Sequence, residues 1–123
     1  MTRRDDLLTL RQMLDHAREA LALIGQRSQA EVEQDRITSL ALTRLLEIVG
    51  EAAGRVAPER RAQHPEIPWP QIVALRNRLI HGYDAVDFDI VWQILTLHLP
   101  PLVANLEAIL QPPEPKPKED EQP

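Results

Sequence analysis

The residues whose types are best suited to catalysis or binding lie in one short stretch of the chain. It contains Arg76, Asn77, Arg78, His81 and Tyr83. An arginine holds two phosphate oxygens and neutralises developing negative charge, and a histidine takes or gives a proton near neutral pH. In RNA the 2′-hydroxyl is an internal nucleophile, so a base beside it suffices for cleavage to a cyclic phosphate. These residue types therefore indicate phosphate chemistry that needs no metal.

Spacing alone leaves a second interpretation open. On an ideal helix Arg76 and His81 lie roughly 140° apart, so they approach each other only if the helix ends and His81 turns back. Gly82 predicts such an end, with His81 in the last turn and Tyr83 beyond it. The alternative is a helix C-terminus whose dipole is simply complemented by basic side chains.

A pair of glutamates is the next candidate. Glu47 and Glu51 are four residues apart on one predicted helix face and are a conceivable metal site. Arg44 and Arg55 lie on the same face at ion-pair spacing, which favours a salt-bridged, solvated face.

The remaining histidines show no metal-binding pattern. We expect His16 and His64 on the surface and His98 either packed or at an interface beside the apolar seam of the last helix, with no two at ligand spacing. The chain has no cysteine, which excludes disulfides and cysteine-based zinc sites. We therefore expect neither a metal nor another cofactor.

The segments around the candidate stretch read as helices, because apolar residues recur in them at three- and four-residue spacing. A first helix is expected to stop at Gly25, and a short helical turn is expected between it and Asp35. Further helices are predicted over Arg36 to Val56, Pro70 to Gly82 and Asp87 to Leu110, with a linker over Pro58 to Pro70. Pro100 and Pro101 predict a kink in the last helix. The pattern indicates an all-α bundle of four or five helices.

Length and composition indicate one folded domain. Residues 1–111 of the 123 form the predicted helical domain, and residues 112–123, PPEPKPKEDEQP, form a charged, proline-rich tail that we expect to be disordered. The net charge of −5 argues against coating nucleic acid through bulk charge, although it leaves room for a local phosphate site. With no targeting segment and no sufficiently apolar span, we expect a cytoplasmic protein without a membrane partner.

Several apolar residues lie outside the main helical seams. This excess indicates a second contact, most simply a homodimer, since a helix that is apolar all round must be covered. A monomer with deeply buried helices is the alternative. The residues concerned are Leu42, Leu46, Ile94, Leu97 and Val103.

The stretch from Arg76 to Tyr83 resembles the Arg-x-x-x-x-His-x-Tyr signature of HEPN domains, specifically of the HepT-like toxins. The resemblance covers about residues 5 to 110, because further segments follow the family's order and spacing. They are Ile48-Val49-Gly50-Glu51-Ala52-Ala53, Ile67-Pro68-Trp69, Leu75 to Tyr83, Val91-Trp92 and Leu99-Pro100. This chain departs from the pattern in Pro101 and in its long tail.

The resemblance implies a helical bundle that dimerises so that two copies of the motif line one cleft. It implies a metal-independent endoribonuclease acting on RNA, with Arg76 and His81 as the catalytic pair. Asn77 is the polar neighbour usual after that arginine, and Arg78 and Glu51 are taken as supporting residues.

The resemblance also implies a partner. In type VII toxin–antitoxin pairs, a small nucleotidyltransferase of the MNT type neutralises the toxin by transferring AMP to the motif tyrosine, here Tyr83. The added bulk and negative phosphate would then lie two residues from His81 and repel an RNA backbone.

Two other interpretations compete with this one. A non-catalytic HEPN module that binds a nucleotidyltransferase or a nucleotide agrees slightly better with the acidic net charge. A purely structural helical dimer leaves the polar stretch unexplained.

Overall fold

The computed structural model describes residues 3–81 and 85–111, and for residues 3, 4, 80, 81, 85 and 86 it describes the backbone only. The all-α class is confirmed, and the strands found in these ranges are two residues long. The elements in chain order are α1 (Arg3–Ile24), α2 (Gln29–Gln34), α3 (Arg36–Gly54), α4 (Pro58–Ala62), α5 (Trp69–Val73), α6 (Leu75–Leu79), β1 (Ile80–His81), β2 (Ala85–Val86), α7 (Phe88–Gln93), a π-helical turn (Ile94–His98) and α8 (Leu99–Leu110). The predicted tail lies outside the described residues.

Helix α1 lies at the centre of the bundle, packed against both α3 and α8. Its stripe of Leu10, Leu14 and Ala17 is fully or almost fully buried, as the three- and four-residue spacing predicts. The helix ends at Gly25, whose φ of +57° lies in the left-handed region that favours glycine. The predicted stop is therefore confirmed.

Side-chain caps set the turn between α1 and α3. Ser28 and Glu31 form a capping box at the start of α2, and Asp35 caps α3 by accepting a hydrogen bond from the Thr38 backbone N–H at 3.2 Å. The Thr38 hydroxyl also donates to the Asp35 carboxylate. This hydrogen bond, the backbone bond and the neighbouring Arg27 lower the pKa of Asp35. This geometry explains why a polar stretch of sequence forms an ordered corner.

The last helical segment absorbs its two prolines in a π-helical turn. The Leu99 backbone N–H donates to the Ile94 carbonyl five residues earlier, and the Thr96 hydroxyl donates to the Trp92 carbonyl at 2.8 Å. Pro100 and Pro101 supply no donors to the carbonyls of the preceding turn, so the hydrogen-bond register widens just before them. The kink predicted there takes the form of this wider turn.

The segment Phe88–Leu110 is, by length and composition, long and apolar enough to cross a membrane. In this fold Leu95, Leu99 and Leu106 are buried, and α8 packs against α1. Core helices of soluble proteins have the same length and composition. The apolar run therefore has a structural role inside the bundle.

The apolar excess that suggested a dimer is largely covered within one chain. Leu42, Leu46 and Ile94 are buried and Val103 is partly buried, whereas Leu97 is 65% exposed. Four of the five side chains therefore give no support to a second contact, because neighbouring helices already cover them. Leu97 remains as an unpacked apolar side chain.

Candidate functional site

The predicted third helix is divided and shorter than expected. Helix α5 ends at Val73, α6 runs over Leu75–Leu79, and Ala74 between them has a ψ of 0°. The chain then turns into β1, where Ile80 pairs with Val86 and His81 with Ala85 in antiparallel register. Placing His81 in a last helical turn ending at Gly82 was wrong, because strand pairing draws the backbone out of the helix after Leu79.

Gly50 allows this region to lie close against α3. A Cβ atom at Gly50 would lie 3.0 Å from the Ile72 carbonyl oxygen and 3.4 Å from the Leu75 Cβ. Together with the buried Leu75 and Leu79, this close approach fixes the position of α6 against the core. The close approach at Gly50 could not be predicted from the helical pattern, because a lone glycine does not reveal which element approaches it.

Trp69 anchors the start of α5. Its indole N–H donates to the carbonyls of Arg61 and His64 at 3.2 and 3.1 Å, and the Arg61 guanidinium lies 6.0 Å from the centre of the ring. Arg61 also donates to three carbonyls at the end of α3, those of Ala53, Gly54 and Val56. The linker before the site is therefore tied to the end of α3, with α4 inside it.

His64 is half-buried, which corrects the expected surface position. Its Nδ1 lies 3.8 Å from a Glu66 carboxylate oxygen, and its buried Nε2 has no hydrogen-bond partner among the described residues. The His64 carbonyl accepts the indole N–H of Trp69, which holds this part of the linker in place. His98, by contrast, is exposed in the single chain; of the two positions predicted for it, the packed one was wrong and the interface one stays a prediction.

The arginines of α6 differ from most others in the protein. Arg76 and Asn77 are exposed and Arg78 is half-buried. Arg18, Arg27 and Arg44 each pair with a carboxylate, whereas the side chains of the two α6 arginines make no ion pair or hydrogen bond to any other described residue. Within the described ranges, each of these guanidiniums is therefore available to an anion.

Glu51 lies on the salt-bridged face that the sequence predicts. The Arg44 guanidinium lies 3.4 Å from the Glu51 carboxylate and 3.5 Å from that of Glu47. Arg55 donates instead to the Gln12 side chain on α1. In the described part of the chain no three histidine or acidic side chains converge in a way that would hold a metal ion. The structure thus joins Glu51 to Arg44, and Glu51 forms no hydrogen bond or ion pair with Arg76.

For two of the predicted site residues, His81 and Tyr83, the structure does not describe the side chain. Only the backbone of His81 is described, and it places the residue two positions after the end of α6. Tyr83 lies outside the described residues. The approach of the His81 imidazole to the Arg76 guanidinium therefore stays a prediction.

Comparison with known proteins adds independent information. Residues 13–109 match the family "Ribonuclease HepT-like". "Putative RNase TTE0752" of Caldanaerobacter subterraneus is 36% identical over 78 residues, 63% of this chain and 70% of that protein. "Probable ribonuclease HepT" of Thermococcus cleftensis is 36% identical over 75 residues, 61% of this chain and 68% of that protein.

A third relative covers more of the fold. "Putative RNase MJ1380" of Methanocaldococcus jannaschii is 29% identical over 109 residues, 89% of this chain and the full length of that protein. No solved structure matches significantly. Because the family match covers residues 13–109, most of the chain, the chain belongs to the HepT-like ribonuclease family, a group of HEPN domains.

Proposed function

We propose that this protein is a metal-independent endoribonuclease whose catalytic pair is Arg76 and His81. The observation that carries the proposal is the pair of α6 guanidiniums with no carboxylate partner among the described residues, immediately before His81. A guanidinium with no carboxylate partner in the described part of the chain is a candidate to bind a phosphate.

The chemistry follows from the residue types. The His81 imidazole takes the proton from a ribose 2′-hydroxyl, the oxygen attacks the adjacent phosphorus, and the bond to the 5′-oxygen breaks as that oxygen gains a proton. The products are a 2′,3′-cyclic phosphate and a 5′-hydroxyl end. Arg76 stabilises the extra negative charge that develops on the phosphate oxygens. Asn77 and Arg78 support phosphate binding from the same helix, and Glu51 holds Arg44 on the neighbouring helix α3.

The proposed site is shared by two protomers. A homodimer would bring two copies of the Arg76–His81 segment to one cleft. Doubling the motif adds positive charge locally, which helps a protein of net charge −5 to hold an RNA backbone.

The proposed role in the cell is that of a cytoplasmic toxin controlled by an MNT-type nucleotidyltransferase antitoxin. The antitoxin directs the Tyr83 phenolic oxygen to the α-phosphate of ATP, so that a tyrosyl–AMP bond forms and pyrophosphate leaves. Support for the site comes from the sequence, where Tyr83 lies two residues from His81. A phosphodiester there would repel RNA.

The test uses purified protein without its partner, incubated with RNA in the presence of EDTA. Wild-type protein should cut the RNA and leave cyclic phosphate ends, and His81→Ala should stay folded and lose the cut. If the two proteins act equally on RNA, the proposal of an enzyme is contradicted. The non-catalytic module, which the acidic net charge supports, is then favoured.

Co-expression with the nucleotidyltransferase tests the modification. Intact-mass spectrometry should show AMP-sized increments on wild-type protein and none on Tyr83→Phe. An increment that persists in Tyr83→Phe assigns the modification to another residue.

A further inference from the structure

A groove beside α6 has no counterpart in the sequence-based predictions. It lies between α5 and α6 on one side and the π-helical turn and α8 on the other, with a volume of about 360 Å³, within the range of small-ligand sites. The buried Leu75 and Leu102 form its floor, and the exposed Leu97 lies at its rim. The widened turn before Pro100 helps to form the groove, because it carries Leu97 and His98. We refer to it as the α6–α8 groove.

Five side chains with hydrogen-bonding groups line the groove; Glu66 lies near His64, and the other four are Gln71, Arg78, His98 and Asn105. No other described residue forms a side-chain hydrogen bond or ion pair with any of these four. The groove thus combines an apolar floor with two carboxamides, a guanidinium and an imidazole that have no internal partner. Sites with this composition bind flat, polar-edged ligands such as nucleotide bases.

The position of the groove connects it to the candidate catalytic pair. Arg76 and Arg78 are two residues apart on α6 and project to nearly opposite sides of the helix, since each residue turns the chain by about 100°. The groove therefore lies across α6 from Arg76, at a distance of about one helix diameter, 10–12 Å. A single-stranded RNA covers that distance within a few nucleotides.

We propose that the α6–α8 groove binds the base of an adenine nucleotide that flanks the cleaved phosphate, and so sets the sequence preference of the enzyme. The inference rests on the proposed function, with RNA as the substrate. The carboxamides of Gln71 and Asn105 each offer a donor and an acceptor, the pattern that matches the edge of adenine. Leu75 and Leu102 pack against the base, and Arg78 holds a flanking phosphate.

Charge distinguishes this occupant from a second copy of the chain. The centres of protein–protein interfaces are depleted of acidic side chains such as Glu66, although arginine is enriched there. The groove places Arg78 and Glu66 on its wall, and Arg78 has no carboxylate partner in the described ranges. A polyanionic strand satisfies that guanidinium, whereas an apolar helix face from a second protomer leaves it unpaired.

The test measures RNA binding, with His81→Ala as the background so that no substrate is cut. Fluorescence anisotropy gives the affinities for equal-length oligomers of A, C, G and U. We expect oligo(A) to bind most tightly. The double variant Gln71→Ala and Asn105→Ala should reduce the affinity for oligo(A), relative to the other oligomers, by about five-fold or more. Gln93→Ala, an exposed glutamine on α7 outside the groove, is the matched control and should leave the order unchanged.

Arg78→Gln provides a second arm. It should weaken all four oligomers by a similar factor and lower the slope of log affinity against log salt by about one, as loss of a phosphate contact does. An effect on oligo(A) alone would contradict the role given to Arg78.

Three results would overturn the groove assignment. The first is equal affinity for all four oligomers, and the second is an unchanged order of affinities in the Gln71→Ala and Asn105→Ala protein. The third is a smaller mass of that protein in sedimentation, with the order of affinities unchanged. The last result would assign the groove to a protein interface. Cleavage by wild-type protein is scored separately. Failure to cut RNA contradicts the proposed function, whereas cutting without any base preference contradicts only the groove.

Discussion

At the scale of single residues, the sequence predicted the site from the stretch between Arg76 and Tyr83. It placed the two arginines of this stretch near the end of one helix from Pro70 to Gly82, whereas they lie on α6, the second of two shorter helices. It did not predict that the two arginines lack carboxylate partners among the described residues. Pairing depends on which acidic side chains the fold brings near, and local spacing carries no information about that.

Arg76→Ala is expected to lower RNA cleavage by about 100-fold or more, because it removes a charge that stabilises the transition state. The matched control is Arg11→Ala, an exposed arginine on α1 whose side chain also has no partner among the described residues. Initial rates on one RNA measure both. Equal losses in the two variants would mean that only general positive charge matters.

At the scale of elements, amphipathic spacing predicted α1, α3 and the last helical segment, because each buries a continuous stripe. The predicted boundaries were less accurate: α3 ends at Gly54 where Val56 was expected, and Pro58–Ala62 is helical within the expected linker. The break at Ala74 lies beside the contact with Gly50. Tertiary contacts of this kind override the local pattern.

Gly50→Ala tests how tightly α6 is held. The new methyl group must displace the Ile72 carbonyl by a few tenths of an ångström, so we expect a loss of about 1–3 kcal/mol in the free energy of unfolding. Chemical denaturation measures it, and cleavage should fall as well because α6 carries Arg76. Gly54→Ala is the control, since a Cβ there has room, with its nearest neighbour at 3.9 Å. Similar losses in both variants would contradict the close-approach argument.

The cap at the start of α3 predicts a pH dependence of stability. The pKa of Asp35 is lowered from its ordinary value of 3.8, chiefly by the Thr38 hydroxyl and backbone N–H. The unfolded chain then binds protons more readily than the folded one, so this contribution is complete above pH 3.8 and is lost as the pH falls through the lower, folded-state value. Asp35→Asn keeps a cap and should lose less stability over that range. Parallel melting-temperature curves for the two proteins would contradict the assignment.

At the scale of the whole molecule, the chain is an all-α bundle of the HepT-like family, and we propose that two chains pair. The prediction of a dimer rested on five apolar residues, and the fold leaves only one of them, Leu97, exposed. A single-chain pattern cannot separate side chains buried by neighbouring helices from those buried by a partner, since both surfaces are apolar.

Mixing two inactive variants tests the shared cleft. Arg76→Ala and His81→Ala each lack one catalytic group, whereas a mixed dimer retains one of each. If residues from both protomers form one site, exchanged subunits should cut RNA faster than either parent protein. Sedimentation checks that mixed dimers form. Formation of mixed dimers without any recovered cleavage would place each site within a single protomer.

The most direct test of the proposed chemistry compares two oligonucleotides of identical sequence, one with ribose throughout and one with 2′-deoxyribose throughout. Both are incubated with wild-type protein in EDTA, and the products are identified by mass spectrometry. We predict that the ribose strand is cut to a 2′,3′-cyclic phosphate and that the deoxyribose strand stays intact. Cleavage of the deoxyribose strand, or loss of all cleavage in EDTA that returns with added metal, would contradict an imidazole and a guanidinium acting without a metal ion.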